Sequence, residues 1–353
     1  MAEFNSKSFN PQAFGAYIKR IPNVKRNELS RCGAVGSNSA ARKALSSQTG
    51  SLYARIPYFG RLDGSTSQNN DGATNIVSTT TSTFEQGFIT ASRMDAWTER
   101  SFAGNITAGV NFMDNVAAQI AEYKLDVKQR MLLAILEGVF SMKTDGNTVA
   151  AKAAAEFLEN HVYDISENSG EDALVSVDTL NKAIQKACGD NKSKFKLAVM
   201  NSAVAARLEN LKLIRFMSQT DENGIERELE MGTWNGRLVL VDDNMPVEEA
   251  KDGGLVYTTY VLGEGAVILD NIGDLVPYEM NRDPKTNGGQ DTLYVRDRYI
   301  CGVDGISFEK PAGITASAKN SDLSDGANWQ IINNGKEAVP HKSIAICKII
   351  SKG

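Results

Sequence analysis

Between Asp114 and Met142 the apolar residues Val116, Ile120, Tyr123, Val127, Met131, Ile135 and Val139 recur at spacings of three and four. That period lines one face of a helix. The stretch has no proline and no glycine before Gly138, Asp114 fits an N-cap, and TDGN at 144–147 fits a stop. A helix over 114–142 would be roughly 40 Å long at about 1.5 Å per residue. The mean helix of a compact protein has only about 11–12 residues. Two readings stay open: a long core helix in an ordinary α+β protein, or a spine that carries separate lobes.

The pattern on either side is uneven. Residues 1–50 are irregular, with Pro11, Pro22, a basic cluster (Lys19, Arg20, Lys25, Arg26) and a small polar run, so they read as an extended arm. Residues 51–103 read as a long hairpin, with strand-like content at 52–62 and 84–102. The Gly, Ser, Thr, Asn and Asp residues between those strands have almost nothing to bury. A two-stranded ribbon is marginal in water, so it points to a partner that packs on it.

After the long helix, 149–165 reads as a second helix leading into a strand. A compact α/β lobe follows, with a helix over 176–191 that starts at Ser176 or Asp178 and buries Leu180, Ile184 and Ala187. A buried strand at 195–202, a helix at 203–214 and a strand at 236–246 continue it. Residues 254–271 read as two strands around a Gly263 and Gly265 turn. Two more strands lie in 274–300, split by NRDPKTNGGQD, and the last runs into 303–311. The tail from Ala312 carries Trp329 and ends in a short apolar strand. No internal repeat of 20–50 residues is present.

Composition narrows the class. With 353 residues the chain can bury a sizeable core and suggests about two domains. Apolar residues at 42% and charged residues at 23% describe a folding sequence. Its net charge of −5 argues against a surface devoted to gripping nucleic acid. No apolar run is long enough to span a membrane, and the N-terminus lacks the basic-then-apolar pattern of a signal peptide. The four cysteines (Cys32, Cys188, Cys301, Cys347) are far apart and form no CxxC pair, so they read as reduced thiols in a cytosolic product.

Catalytic motifs fail one by one. His161 and His341 are the only histidines, and neither has a nucleophile or base beside it in sequence. Ser193 and Lys196 match SxxK without the companion motifs. GSNSAARK at 36–43 lacks the second glycine of a phosphate loop. The Gly263-Glu264-Gly265 pair leads into a strand instead of a helix, so a turn accounts for it better than a dinucleotide site. Asp242, Asp243, Glu248, Glu249 and Asp252 form a carboxylate cluster without calcium-loop spacing. It reads as a solvated turn or as the rim of a ring of subunits. No cofactor, metal or catalytic residue is therefore expected.

The lobe also carries a run of phrases in fixed order. These are AVMNSAVAARLENLKLI (198–214), GRLVLVDDNMP (236–246), YTTYVLGEGAV (257–267), YEMNRDP (278–284) and LYVRDRYICGVDGISF (293–308), with LSDGANW at 323–329. Together they resemble the major capsid proteins of tailed bacteriophages with the Hong Kong 97-type fold. The resemblance covers 176–342 at the level of motifs and 1–175 at the level of architecture.

That resemblance implies an α+β capsid fold with an N-terminal arm (1–50), an extended hairpin loop (51–103) and a peripheral domain (104–170) holding the spine helix 114–142. It further implies an axial domain (171–288), a return strand (289–311) and a C-terminal tail (312–353). The function implied is self-assembly as pentamers and hexamers into an icosahedral shell around double-stranded DNA, held without sequence-specific binding. Implied partners are a scaffolding protein, a portal protein and decoration proteins, with no membrane. The setting is the virion, assembled in the host bacterial cytoplasm. Arg61, Phe84, Met94 and Trp97 are the expected flap contacts, and Asp242 and Asp243 the expected axial-rim positions. The rivals are an encapsulin-like compartment, which would need a cargo-docking groove near the N-terminus, and a hydrolase with a mobile flap.

Overall fold

The computed structural model describes residues 32–46, 52–60, 67–78, 82–100, 112–220, 226–250 and 254–352, the side chains of 112–118, 216–220 and 226–231 excepted. In chain order the elements begin with β1 (Val35–Gly36), α1 (Ser39–Ala44), β2 (Tyr53–Phe59), β3 (Thr83–Arg100), α2 (Phe112–Phe140), α3 (Val149–His161) and β4 (Val162–Asp164). Then come α4 (Thr179–Cys188), β5 (Phe195–Met200), α5 (Ser202–Asn210), β6 (Ile214–Thr220), β7 (Glu226–Trp234), β8 (Arg237–Val241) and β9 (Val247–Glu249). The last are β10 (Leu255–Gly263), β11 (Val267–Asn271), β12 (Tyr278–Asp283), β13 (Gln290–Val303), β14 (Ile306–Phe308), α6 (Asn320–Ser324), β15 (Trp329–Ile331) and β16 (Ile346–Ser351).

The strands form two sheets. The first runs β1-β11-β13-β14-β15, with β12 and β3 also on β13 and β2 on β3. The second runs β4-β16-β10-β5-β8-β7-β6, with β9 on β10. The long helix α2 joins them. Over 119–126, only Ile120 and Ala121 are buried, and Tyr123 is partly exposed. Its second half is buried almost all round: Met131, Leu132, Ala134, Ile135, Leu136 and Val139 all lie in the core, and Glu137 alone is exposed in that span. A helix apolar on every side belongs inside a protein. The single-face pattern read from 116–139 therefore understates the packing.

One cluster explains this. The buried residues of α2 meet Ile89, Leu269, Tyr299 and Cys301 of the first sheet and Leu197, Val199, Leu240, Tyr260 and Leu262 of the second. Phe140 stacks on Phe157 of α3 at 5.8 Å and on Tyr260 at 5.6 Å. The opposite face of the second sheet (Ala198, Met200, Val239, Val261, Cys347, Ile349) packs on Leu180 and Ile184 of α4 and on Val204 and Leu208 of α5. α4 ends at Gly189, whose φ of +62° is the left-handed stop that glycine adopts without steric cost.

Several expectations change here. β10 and β11 do not form a hairpin: β10 pairs with β5 and β16 in the second sheet, and β11 with β13 in the first. The Gly263–Gly265 turn is the crossover between sheets, and a Cβ at Gly263 would collide with Ala345. The change of sheet thus comes near 264–266. The helix expected over 203–214 ends at Asn210, because Lys212 takes a φ of +55° and the chain enters β6. The β6–β7 hairpin itself has no counterpart in the sequence reading.

The tail is interior to the fold. β16 lies between β4 and β10, and α6 with Trp329 packs on the end of α2. A Cβ at Gly138 would collide with the Leu323 carbonyl oxygen and the Trp329 indole, while that indole donates to Leu323 O at 2.7 Å. The glycine in α2 is there for a close approach.

Candidate subunit interface

β3 uses its two edges differently along its length. Near its start it pairs with β2 from Tyr53–Ile89 to Phe59–Thr83, which is the body of the flap. From Ile89 to Arg100 its other edge pairs with β13, Cys301 back to Gln290. The ribbon is therefore not free-standing. Its base is core: Phe88 packs with Ala41, Leu45, Ile268 and Ile300, and Phe84 with Ile332 and Val339. Buried Gln86 donates from Nε2 to the Val303 carbonyl at 2.7 Å, and Gly87 N donates to Ser307 Oγ at 2.9 Å.

The far end is the opposite. Residues 67–78 are exposed throughout. Side-chain hydrogen bonds give them local order, those of Gln68 and Asp71 foremost. Gln68 brackets Val77, its Nε2 donating to Val77 O at 2.6 Å and its Oε1 accepting from Val77 N at 2.9 Å. Asp71 accepts from Ala73 N at 2.9 Å and Thr74 N at 2.7 Å. The Thr74 hydroxyl and these amide donors hold its carboxyl down at about 2, because they stabilise the charged form. The result presents Ile76 at 89% exposure and Val77 at 68%. Two apolar side chains held in the open are the contact signal that the sequence reading passed over, although Ile76-Val77 is the only apolar pair in the polar run.

The expected contact residues separate accordingly. Phe84 is 5% exposed and belongs to this chain's own core, because a phenyl ring at the hairpin base finds Ile332 and Val339 first. Met94 is 83% exposed. Trp97 is half-buried and meets Tyr123 of α2 edge-on at 5.3 Å, while the Tyr123 hydroxyl donates to Asp95 at 2.8 Å. Strand alternation puts residues three apart on opposite faces, so Met94 and Trp97 cannot share one surface. Arg61 lies outside the described residues.

Asp242 and Asp243 also part. Asp242 is 4% exposed: it accepts from the Gln129 amide of α2 and, at 3.0 Å, from Asn244 N. It is an internal tie between the second sheet and the spine, where an acidic turn was expected to face solvent. Asp243 is exposed and accepts from Ser202 N at the start of α5, 3.2 Å away. Among the described residues no group of three or more His, Cys, Asp or Glu is placed to hold a metal.

A second tie fastens α2 to the first sheet. Lys124 Nζ lies 2.8 Å from Asp297 Oδ2, donates to the Tyr278 hydroxyl at 2.8 Å and sits over that ring, and Asn271 donates to the same carboxylate at 2.8 Å. Both charged side chains are mostly buried, at 17% and 12% exposure, so removing either one would leave the other buried without its partner.

Sequence spacing also hid the meeting of the two histidines. His161 Nδ1 is 2.6 Å from the Ile346 carbonyl, and its Nε2 is 3.2 Å from His341 Nδ1. A carbonyl only accepts, so His161 carries its proton on Nδ1 and Nε2 accepts from His341. The His161 ring stacks on Phe157 at 4.3 Å, and burial pushes its pKa down to about 4. His341 is lowered too, first by burial, with Glu156 3.6 Å away opposing the shift. The pair fastens α3 to the C-terminal strand. All four cysteines are buried, and burial pushes Cys188 up to about 11 and Cys301 to about 12.

Comparison with known proteins completes the picture. The family described as Gp13-like, major capsid protein 13-like, matches residues 103–339. The major capsid protein of Bacillus phage SPP1 is 28% identical over 300 residues, which is 85% of this chain and 84% of that one. The solved capsid of Ralstonia phage GP4 superposes with a TM-score of 0.56 at 9% identity, over 95% of this chain and 92% of that chain. At that identity the likeness speaks for the fold alone.

Proposed function

The chain belongs to the major capsid protein 13-like family, and from that membership we propose how the subunit is used. It has the Hong Kong 97-type fold, and it is the major capsid protein of a tailed phage, a component of the virion whose copies form an icosahedral shell. The family match over 103–339 is the observation that carries this.

The finer reading is our own. Copies gather as pentamers and hexamers through the lobe built on the second sheet. Each flap reaches a neighbour with Ile76 and Val77, and Met94 and Arg61 add contacts along its length. The contact is modest in area per copy, but closed symmetry sums many such contacts into a stable wall. A scaffolding protein guides assembly in the host cytoplasm, a portal protein occupies one vertex, and decoration proteins bind outside. Packaged double-stranded DNA is enclosed without sequence readout, which the net charge of −5 supports. The subunit performs no catalysis; its histidines serve as fastenings.

Sedimentation and negative-stain microscopy of the chain alone, and with a scaffolding protein, test this reading. Rings, tubes or shells are the expected outcome in at least one sample. A clean monomer in both would sink it.

A further inference from the structure

A head-to-tail ring needs two different patches on each subunit, since one surface meets another and not its own copy. The second sheet has such patches at its two opposite ends along the strands. The β7–β8 turn lies level with Leu197 of β5, whereas β9 pairs with β10 beyond Met200. The two corners are roughly 20 Å apart along the strands at about 3.3 Å per residue.

At the first corner a cleft of about 370 Å³ is lined by Val177, Asn181, Lys212, Arg215, Trp234 and Asn235, among others. Its rim is built to keep its shape. Asn235 and Gly236 take φ values of +49° and +79°, which suits a tight Asn-Gly hairpin turn. Asn235 Nδ2 donates to Asn181 Oδ1 at 3.0 Å, fastening that turn to α4. Lys212 and Arg215 are exposed, and among the described residues no carboxylate pairs with either. Val177, 66% exposed, and Leu211, 43% exposed, lie beside them.

The second corner mirrors this chemistry with the sign reversed. Glu248 and Glu249 are exposed on β9, next to Val247 at 40% and Leu255 at 49% exposure. Glu248 also lies within the field of Lys348 on its own chain, which leaves Glu249 the less engaged acid. The first corner therefore offers two cations beside two exposed apolar side chains, and one face of β9 offers Glu249 beside Val247 and Leu255.

Resting on the capsid reading above, we propose that the β9 corner of one copy seats in the Lys212–Arg215 cleft of the next copy around the ring. Glu249 meets the two cations, and Val247, two residues away on the same face of β9, covers Val177, while Glu248 points to the other face toward Lys348. Charge pairs of this exposure set register and encounter rate more than affinity, and salt screens them over about 8–10 Å.

The test is a charge swap in the full chain co-expressed with its scaffolding protein. K212E/R215E and E249K should each lower shell yield by at least about tenfold, with melting unchanged. The combination K212E/R215E/E249K should recover yield to within about threefold of the parent. Should a reversal variant melt early, K212Q/R215Q takes its place, with a smaller loss expected. Full yield from a folded cleft variant, or no recovery in the combination, would overturn the contact while the parent's shells keep the capsid reading intact. A parent that forms no shells would remove both.

Discussion

The two ends of the flap hairpin teach opposite lessons from one pair of strands. At its base Phe84, Phe88 and Ile89 are buried, and the strand is gripped by β13 and by the C-terminal segment. At its tip every residue from 67 to 78 is exposed, ordered locally by the Asp71 turn and the Gln68 bracket. Stability is placed at the base, and the surface that needs a partner at the tip. A ribbon is marginal in water only as far as nothing packs on it, and here that limit falls within a single element.

The largest effect should come from the base. Phe88→Ala empties a fully buried ring site and should cost about 3–5 kcal/mol, read from the urea midpoint. A loss below about 1 kcal/mol would mean that the base is looser than its burial implies.

Acid should separate core from tip. His161 is held neutral, so the unfolded chain binds the extra proton first, below the usual 6.5. Stability is then complete above pH 6.5 and declines as the pH falls toward 4, by about 3 kcal/mol at 1.36 kcal/mol per unit. Asp71 shifts the other way: its turn is intact above the usual carboxylate range and is lost only as the pH falls through about 2. Denaturant titrations at pH 7 and pH 4.5 should show the loss, and His161→Gln should flatten it. Amide exchange at Ala73 and Thr74 should stay unchanged over the same interval. If those amides loosen together with the core, the two ends are coupled.

The smallest effect on the subunit should come from I76S/V77S. Exposed side chains with no internal partners should change monomer stability by less than about 0.5 kcal/mol, whereas shell yield should fall clearly. Unchanged assembly would remove Ile76 and Val77 from the interface.

Periodicity made the long helix, α3, α4, β5 and the β12–β13 hairpin legible, because each buries a face set by its own local repeat. Asp242 shows where that ends. Its place in an acidic turn suggested solvent, yet it is buried because Gln129, more than a hundred residues earlier, supplies a donor. Met94 and Trp97 could have been separated from sequence alone, since a strand turns residues three apart to opposite faces. The histidine pair could not, because His161 and His341 meet only through the C-terminal strand.

The amino-acid sequence by itself determined the order of the parts: flap, spine, lobe and returning strands, with a polar flap tip that has nothing to bury. Local periods, caps and turn residues act over a few positions and need no distant partner. Only the tertiary structure decided that the spine is sheathed on nearly all sides, that Gly263–Gly265 passes the chain between sheets, and that β16 sits inside the lobe. Those facts depend on which distant surfaces exclude water together, and burial of that kind leaves no mark on the spacing of residues along the chain.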